Sequence, residues 1–346
     1  MRWIRGRGRR AWLPAAIAGG AVAALTAGGL IWGFGPWGNG AGQDPADTCR
    51  GALAAAEAEE FFGGAELEFR GTTGQWMDYE TERCTAQVRG QESGGVRLEL
   101  TLRPSAAHRS SHAAEETSAA PIGHGWNGSI LPGHFPQAAV LVDCAPVPGD
   151  GLLVLADVSG RGIKKLSAEQ ALALARFTTE SARGAAERYG CEGALGKRPS
   201  TVDRTEQRKR PVAEADGTCG GVVSERDTAR LRLTTASEMP AGRALTEECS
   251  LKLPAENHSI RLSAYYGPSA QQEMYLDKRY PGSVNGAIMR SHPCEGALDT
   301  AYFKFEELPL QDAGKDVPRT VRSEDGQRLL TAFTAASAAR HGCPAT

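Results

Sequence analysis

The sequence predicts an α+β protein: two tandem copies of a disulfide-braced antiparallel-sheet domain with flanking helices, after one N-terminal transmembrane helix. Three observations lead there. Eight cysteines fall into two sets of four, short motifs recur around them, and a 27-residue run without charge follows a basic N-terminus. At 346 residues the chain suits two ordinary domains better than one.

The N-terminal ten residues carry Arg2, Arg5, Arg7, Arg9 and Arg10, and no acidic residue precedes Asp44. Ala11 to Trp37 is rich in Ala, Gly, Leu, Ile and Val and would span about 40 Å as a helix. Trp12 stands at one end and Trp32 and Trp37 at the other, where indole rings favour the headgroup level; the arginines before the span keep the N-terminus cytoplasmic. The reading is a basic tail over 1–10, a membrane helix over 11–37 and a spacer over 38–47. A cleaved signal peptide is the rival, with Gly38-Asn39-Gly40 and Gly40-Ala41-Gly42 as marginal cleavage sites.

Beyond that span the cysteines are Cys49, Cys84, Cys144 and Cys191, then Cys219, Cys249, Cys294 and Cys343. Their flanks repeat as well. Thr48-Cys49-Arg50-Gly51 recurs as Thr218-Cys219-Gly220-Gly221, and Thr81-Glu82-Arg83-Cys84 as Thr246-Glu247-Glu248-Cys249. Pro104-Ser105-Ala106 returns as Pro268-Ser269-Ala270, and each copy closes on an Ala-rich helix ending Arg188-Tyr189-Gly190-Cys191 or Arg340-His341-Gly342-Cys343. The copies are placed at 48–192 and 218–346, with a charged, apolar-poor linker over 193–217. An even set of matched cysteines beyond a membrane span reads as a disulfide framework. Within a copy three pairings are open; first with second and third with fourth is the arrangement expected.

Each copy reads as helix, hairpin, variable loop, hairpin, helix. Ala52 to Phe62 has helical composition. Cys84 to Val88 and Val96 to Leu102 alternate as a hairpin, echoed by Cys249 to Leu253 and Ile260 to Tyr266. Ala139 to Val142 and Leu152 to Val158 form a second hairpin. The closing helix starts at a Ser167-Ala168-Glu169-Gln170 cap, and Leu329, Leu330 and Phe333 mark the same stripe in the second copy.

Chemistry is sparse. No nucleophile motif, phosphate loop or close cysteine pair is present, so no cofactor is implied. His108 and His112, four apart and followed by Glu116, are the candidate metal ligands, with surface histidines as the plainer reading. Trp126 is the candidate ligand-binding aromatic of the first variable loop, unless it anchors that loop; Tyr275 and Tyr280 occupy the corresponding place in the second. Without the five N-terminal arginines the chain has 34 basic against 41 acidic residues, which argues against nucleic acid as a partner.

With this Ala, Gly and Arg content, the basic N-terminus, one span and the paired cysteines Cys49 to Cys191 and Cys219 to Cys343, the chain resembles the membrane-anchored exported proteins of high-GC Gram-positive bacteria such as streptomycetes. It also resembles small two-disulfide exported domains, including the sensor domains of membrane kinases. The resemblance transfers no catalytic residue. The expected function is a non-catalytic binding or interaction module of the cell envelope, outside the cell membrane, with an envelope protein or cell-wall ligand as partner and the membrane contacted through the N-terminal helix. The alternative is an envelope enzyme, such as a metal-dependent hydrolase, with a site in the first copy.

Overall fold

The computed structural model describes residues 43–346 except 77–78, 92–93, 108–118, 132, 134, 162, 164, 204–206, 254–257, 280–286, 310–320 and 345–346. The expected basic tail and membrane helix lie outside the described residues. The fold class is corrected on this point. Among the described residues no helix is long and apolar enough to cross a membrane, and the architecture is α+β, two antiparallel sheets with helices and four disulfides.

In the first copy, Cys49 sits in a 3-10 turn (Thr48–Gly51) before the short helix α1 (Ala55–Phe61). The strands are β1 (Leu67–Trp76), β2 (Tyr79–Val88), β3 (Arg97–Pro104), β4 (Ala120–Pro121), β5 (Gly128–Leu131), β6 (Gln137–Asp143) and β7 (Gly151–Ser159). They form one sheet in the order β1-β2-β3-β7-β6-β5-β4, and α2 (Ala168–Tyr189) follows. Leu98, Leu100 and Leu102 of β3 alternate with polar residues, so one face of the sheet presents them with Val140, Val154 and Ala156 to Leu174, Phe177 and Ala182 of α2. The Ser167 hydroxyl accepts from Gln170 N while the Gln170 side chain takes Ser167 N, the capping box that starts α2. Gly190, with φ at 69°, ends it in the left-handed conformation.

The second copy has β8 (Arg208–Pro211), α3 (Glu225–Leu231), β9 (Thr235–Glu238), β10 (Thr246–Lys252), β11 (His258–Tyr266), α4 (Pro268–Arg279), β12 (Ile288–Pro293), β13 (Thr300–Pro309) and α5 (Ser323–His341). Its sheet runs β12-β13-β11-β10-β9-β8. Five strands therefore share one topology, β1-β2-β3-β7-β6 in the first copy and β9-β10-β11-β13-β12 in the second. Register agrees too: Cys84 lies opposite Leu100, and Cys249 opposite Leu262. The disulfides join Cys49 to Cys84, Cys144 to Cys191, Cys219 to Cys249 and Cys294 to Cys343. Each closes a loop of 30 to 49 residues, a constraint on the unfolded chain worth about 3 to 4 kcal/mol.

The recurring motifs meet inside each copy. Arg188 donates to both oxygens of Glu82 at 3.2 and 3.4 Å and to the carbonyl of Cys49 at 2.9 Å, while the Tyr189 hydroxyl adds a bond to Glu82 at 2.8 Å. Arg340 grips Glu247 in the same way at 2.5 and 3.2 Å, and Ser337 donates to that carboxylate at 2.8 Å. Glu82 and Glu247 are 2% and 1% exposed, so each ion pair pins the closing helix to a strand of the sheet in a dry site.

Two segments depart from the expected pattern. The stretch 193–217, read as a solvated linker, contains β8, paired to β9, and a 3-10 turn (Val212–Glu214), while Gly196 and Pro199 are buried against the first copy. The second variable loop is the helix α4, lying across the sheet face opposite α5. Lys304 of β13 donates to Glu273 and Asp277 of α4 at 2.7 and 3.1 Å, and the Tyr302 hydroxyl donates to Asp277 at 3.0 Å. Burial alone would lower the Lys304 pKa; the hydrogen bond it donates to Glu273 and the carboxylate of Glu306 hold it above its ordinary value.

Glu247→Gln leaves Arg340 buried without its counter-charge and is expected to lower unfolding stability by about 3 kcal/mol in urea titrations. Glu66→Gln, which breaks an exposed pair with Arg89, should cost less than about 0.5 kcal/mol. Asp157 lies directly opposite Glu99, and burial, then that neighbouring carboxylate, push its pKa up to about 6. The folded state thus holds this proton more tightly than the unfolded chain, so its contribution is full below about pH 3.8 and lost as pH rises through 6. Asp157→Asn should raise Tm at pH 8 and leave it unchanged at pH 3.5.

Candidate functional site

The two copies meet on the second face of the first sheet. Ala139 and Leu141 of β6 and Leu153 and Leu155 of β7 point away from α2 and pack in one cluster with Leu245, Ala297 and Leu298 of the second copy. Polar bonds fix the junction. Gly128 N donates to the Arg243 carbonyl at 2.8 Å, Leu245 N to the Ser129 hydroxyl at 2.8 Å, and Ala297 N to Asp143 Oδ1 at 2.6 Å. Close approach needs glycine here: a Cβ at Gly151 would sit 2.7 Å from Ala297 Cβ, and one at Gly267 would sit 2.8 Å from Leu141 Cδ2.

Beside these contacts a cavity of about 270 Å³ opens between the copies. Trp126, Asn127, Leu141 and Leu195 line it from the first copy, and Arg243, Glu295, Leu298 and His341 from the second. Its first wall is a turn in which Gly123, His124 and Gly125 all have positive φ, closed by Trp126 N on the Gly123 carbonyl. This backbone course aims the Trp126 ring inward. The ring is 2% exposed, its Nε1 donates to the Lys197 carbonyl at 2.8 Å, and the Arg183 guanidinium lies over it at 5.8 Å. Trp126 therefore anchors its loop to the segment after α2, and its ring forms part of the cavity wall.

Polar groups at the cavity fall into two kinds. His341 is already engaged: its ring stacks on Tyr266 at 3.6 Å and its nitrogens lie 3.0 and 2.8 Å from the carbonyls of Ser337 and Ala244. Asp143 holds Ala297 N. Three groups are not so engaged. Asn127 Oδ1 is buried without a hydrogen-bond partner. Arg243 donates through Nε to the Arg340 carbonyl at 3.4 Å, near the C-terminus of α5, and among the described residues its guanidinium has no carboxylate partner. Glu295, exposed at the rim, is likewise in no ion pair among the described residues.

The other sequence candidates lie elsewhere. His108, His112 and Glu116 fall outside the described residues, as does Tyr280. Tyr275 is on α4, half-buried, its hydroxyl accepting from Arg279 at 3.2 Å. Among the described residues no group of three or more His, Cys, Asp or Glu side chains is placed to hold a metal ion. Sequence reasoning singled out Trp126 but missed Asn127, Arg243 and Glu295. Asn127 had a visible signal as Trp126's neighbour in a Gly-rich turn, whereas the other two become site residues only through contact between copies.

Comparison of the chain with protein-family models, with curated proteins and with solved structures gives no match.

Gly196 is held tightly enough to test the Trp126 anchor. A Cβ there would lie 2.4 Å from Trp126 Cδ1, so Gly196→Ala should force the ring aside and lower stability by roughly 1 to 3 kcal/mol. Trypsin should also cut faster after the exposed Lys197, as followed by mass spectrometry of the fragments.

Proposed function

We propose that the chain is an exported binding module of the bacterial cell envelope whose two copies jointly hold a small ligand in the cavity between them. The observation that carries this reading is a cavity of about 270 Å³ walled by both copies, at which Arg243 has no carboxylate partner among the described residues. Arg243 lines this space while its Nε donates to the Arg340 carbonyl. Four disulfides support work outside the cytoplasm, where thiols are not kept reduced.

The reading is tested by closing the cavity without touching the core. Ala194 is exposed at its lining, so Ala194→Trp fills the space from the mouth. Wild-type and variant full-length protein are incubated with a small-molecule extract of bacterial envelopes and compared by native mass spectrometry. At least one compound should be retained by the wild type and lost from the variant. Retention of nothing, or equal retention by both, would overturn the reading.

A further inference from the structure

We infer that the ligand of the junction cavity is a small zwitterion with a carboxylate and an ammonium group, of amino-acid or dipeptide size. This rests on the binding role proposed for the cavity and specifies the chemistry it accepts.

Size comes first. A cavity of about 270 Å³ falls just below the roughly 300 to 1,000 Å³ of sites that take drug-sized molecules. Charge comes next. Among the described residues the lining offers one cation without a carboxylate, Arg243, and two carboxylates without a cation, Glu295 and Asp143, the latter holding Ala297 N. A simple anion would satisfy the first and be repelled by Glu295 and Asp143; a simple cation would meet the reverse. Only a molecule carrying both signs leaves none of these side chains opposed. A guanidinium presents parallel N–H donors that match a carboxylate in two-point fashion.

The remaining groups fit the same class. Leu141, Leu195 and Leu298 form an apolar part of the lining, suited to an aliphatic side chain. Leucine and leucyl-leucine thus have a place for every group, with the carboxylate at Arg243, the ammonium toward Glu295 and Asp143, and the hydrocarbon on the leucine side chains.

The experiment is calorimetric titration of the full-length protein with L-leucine, with L-leucyl-L-leucine and with N-acetyl-L-leucinamide, which keeps the hydrocarbon and loses both charges. Leucine or the dipeptide should bind at least tenfold more tightly than the neutral compound. Arg243→Gln should weaken that binding at least tenfold, and Ala194→Trp should abolish it. Arg243→Lys, which keeps the charge but not the two-point geometry, should lie between. Equal binding of the neutral compound, binding unaffected by Arg243→Gln, or no binding of either zwitterion would overturn the inference. If the envelope extract still yields a compound that is lost on Ala194→Trp and is not a zwitterion, the binding role stands and the ligand class alone fails.

Discussion

Everything in each copy is referred to one buried ion pair, Glu82 with Arg188 and Glu247 with Arg340. The pair stands where three pieces of chain converge. The glutamate is two residues before the strand cysteine, the arginine three residues before the last cysteine, and Arg188 also binds the carbonyl of the first cysteine. A left-handed glycine, Gly190 or Gly342, lies between the arginine and its cysteine, ends the helix and swings the chain into the second disulfide. The disulfides shorten the search, and the ion pair selects the register in which helix and strand meet. Losing one partner strands a charge in a dry site, whereas changing both demands a coordinated replacement. That asymmetry explains why these residues match between copies whose other surfaces differ so much.

A sheet has two faces, and the closing helix covers only one. The copies solve the second face differently. In the first, β6 and β7 present Ala139, Leu141, Leu153 and Leu155, which exclude water only if something apolar covers them, and the second copy does so. In the second, the equivalent face carries Arg261, Lys304 and Glu306 among Tyr265 and Tyr302, and α4 closes it with Glu273 and Asp277. The first copy is built to be packed upon and the second carries its own cover. One domain plan thus gives an ordered pair rather than an open-ended stack.

Much of this was legible in the sequence. The cysteine spacing and the Thr-Glu-x-Cys and Arg-x-Gly-Cys motifs mark the duplication, and alternation marks β2, β3, β10 and β11, because those strands bury one face under a helix. The strands β1 and β8 were not legible. β1 has Leu67 and Phe69 as its buried residues, and its distal half, Thr72 to Gln75, is exposed, so backbone pairing rather than side-chain burial holds it. α4 hid for the opposite reason: its sheet-facing side is salt-bridged through Glu273 and Asp277, leaving no apolar stripe to recognise. Within 193–217, charge suggested solvent, yet Arg176 and Arg183 take the carbonyls of Pro199 and Gly196 and fasten the segment by its backbone. The junction was invisible because it is made of glycines, main-chain donors and side chains that acquire meaning only when the copies touch.

The same junction bears on how the cavity works. Hinged clefts close over a ligand and spend part of the binding energy on ordering. Here the copies are already joined by an apolar cluster and by hydrogen bonds from Gly128, Leu245 and Ala297, and glycines bring the backbones too close for sliding without clash. The Trp126 turn is fixed from outside by Lys197 and Arg183. Asn127, its chain neighbour, is therefore held at the cavity before any ligand arrives, and Arg243 is steadied through its own carbonyl and the end of α5. For the proposed ligand, a cavity assembled from two covalently linked, disulfide-braced copies would gain affinity by preorganisation rather than area. Occupancy by the proposed ligand would also couple to stability, since a ligand that contacts both copies binds only where both are folded and docked.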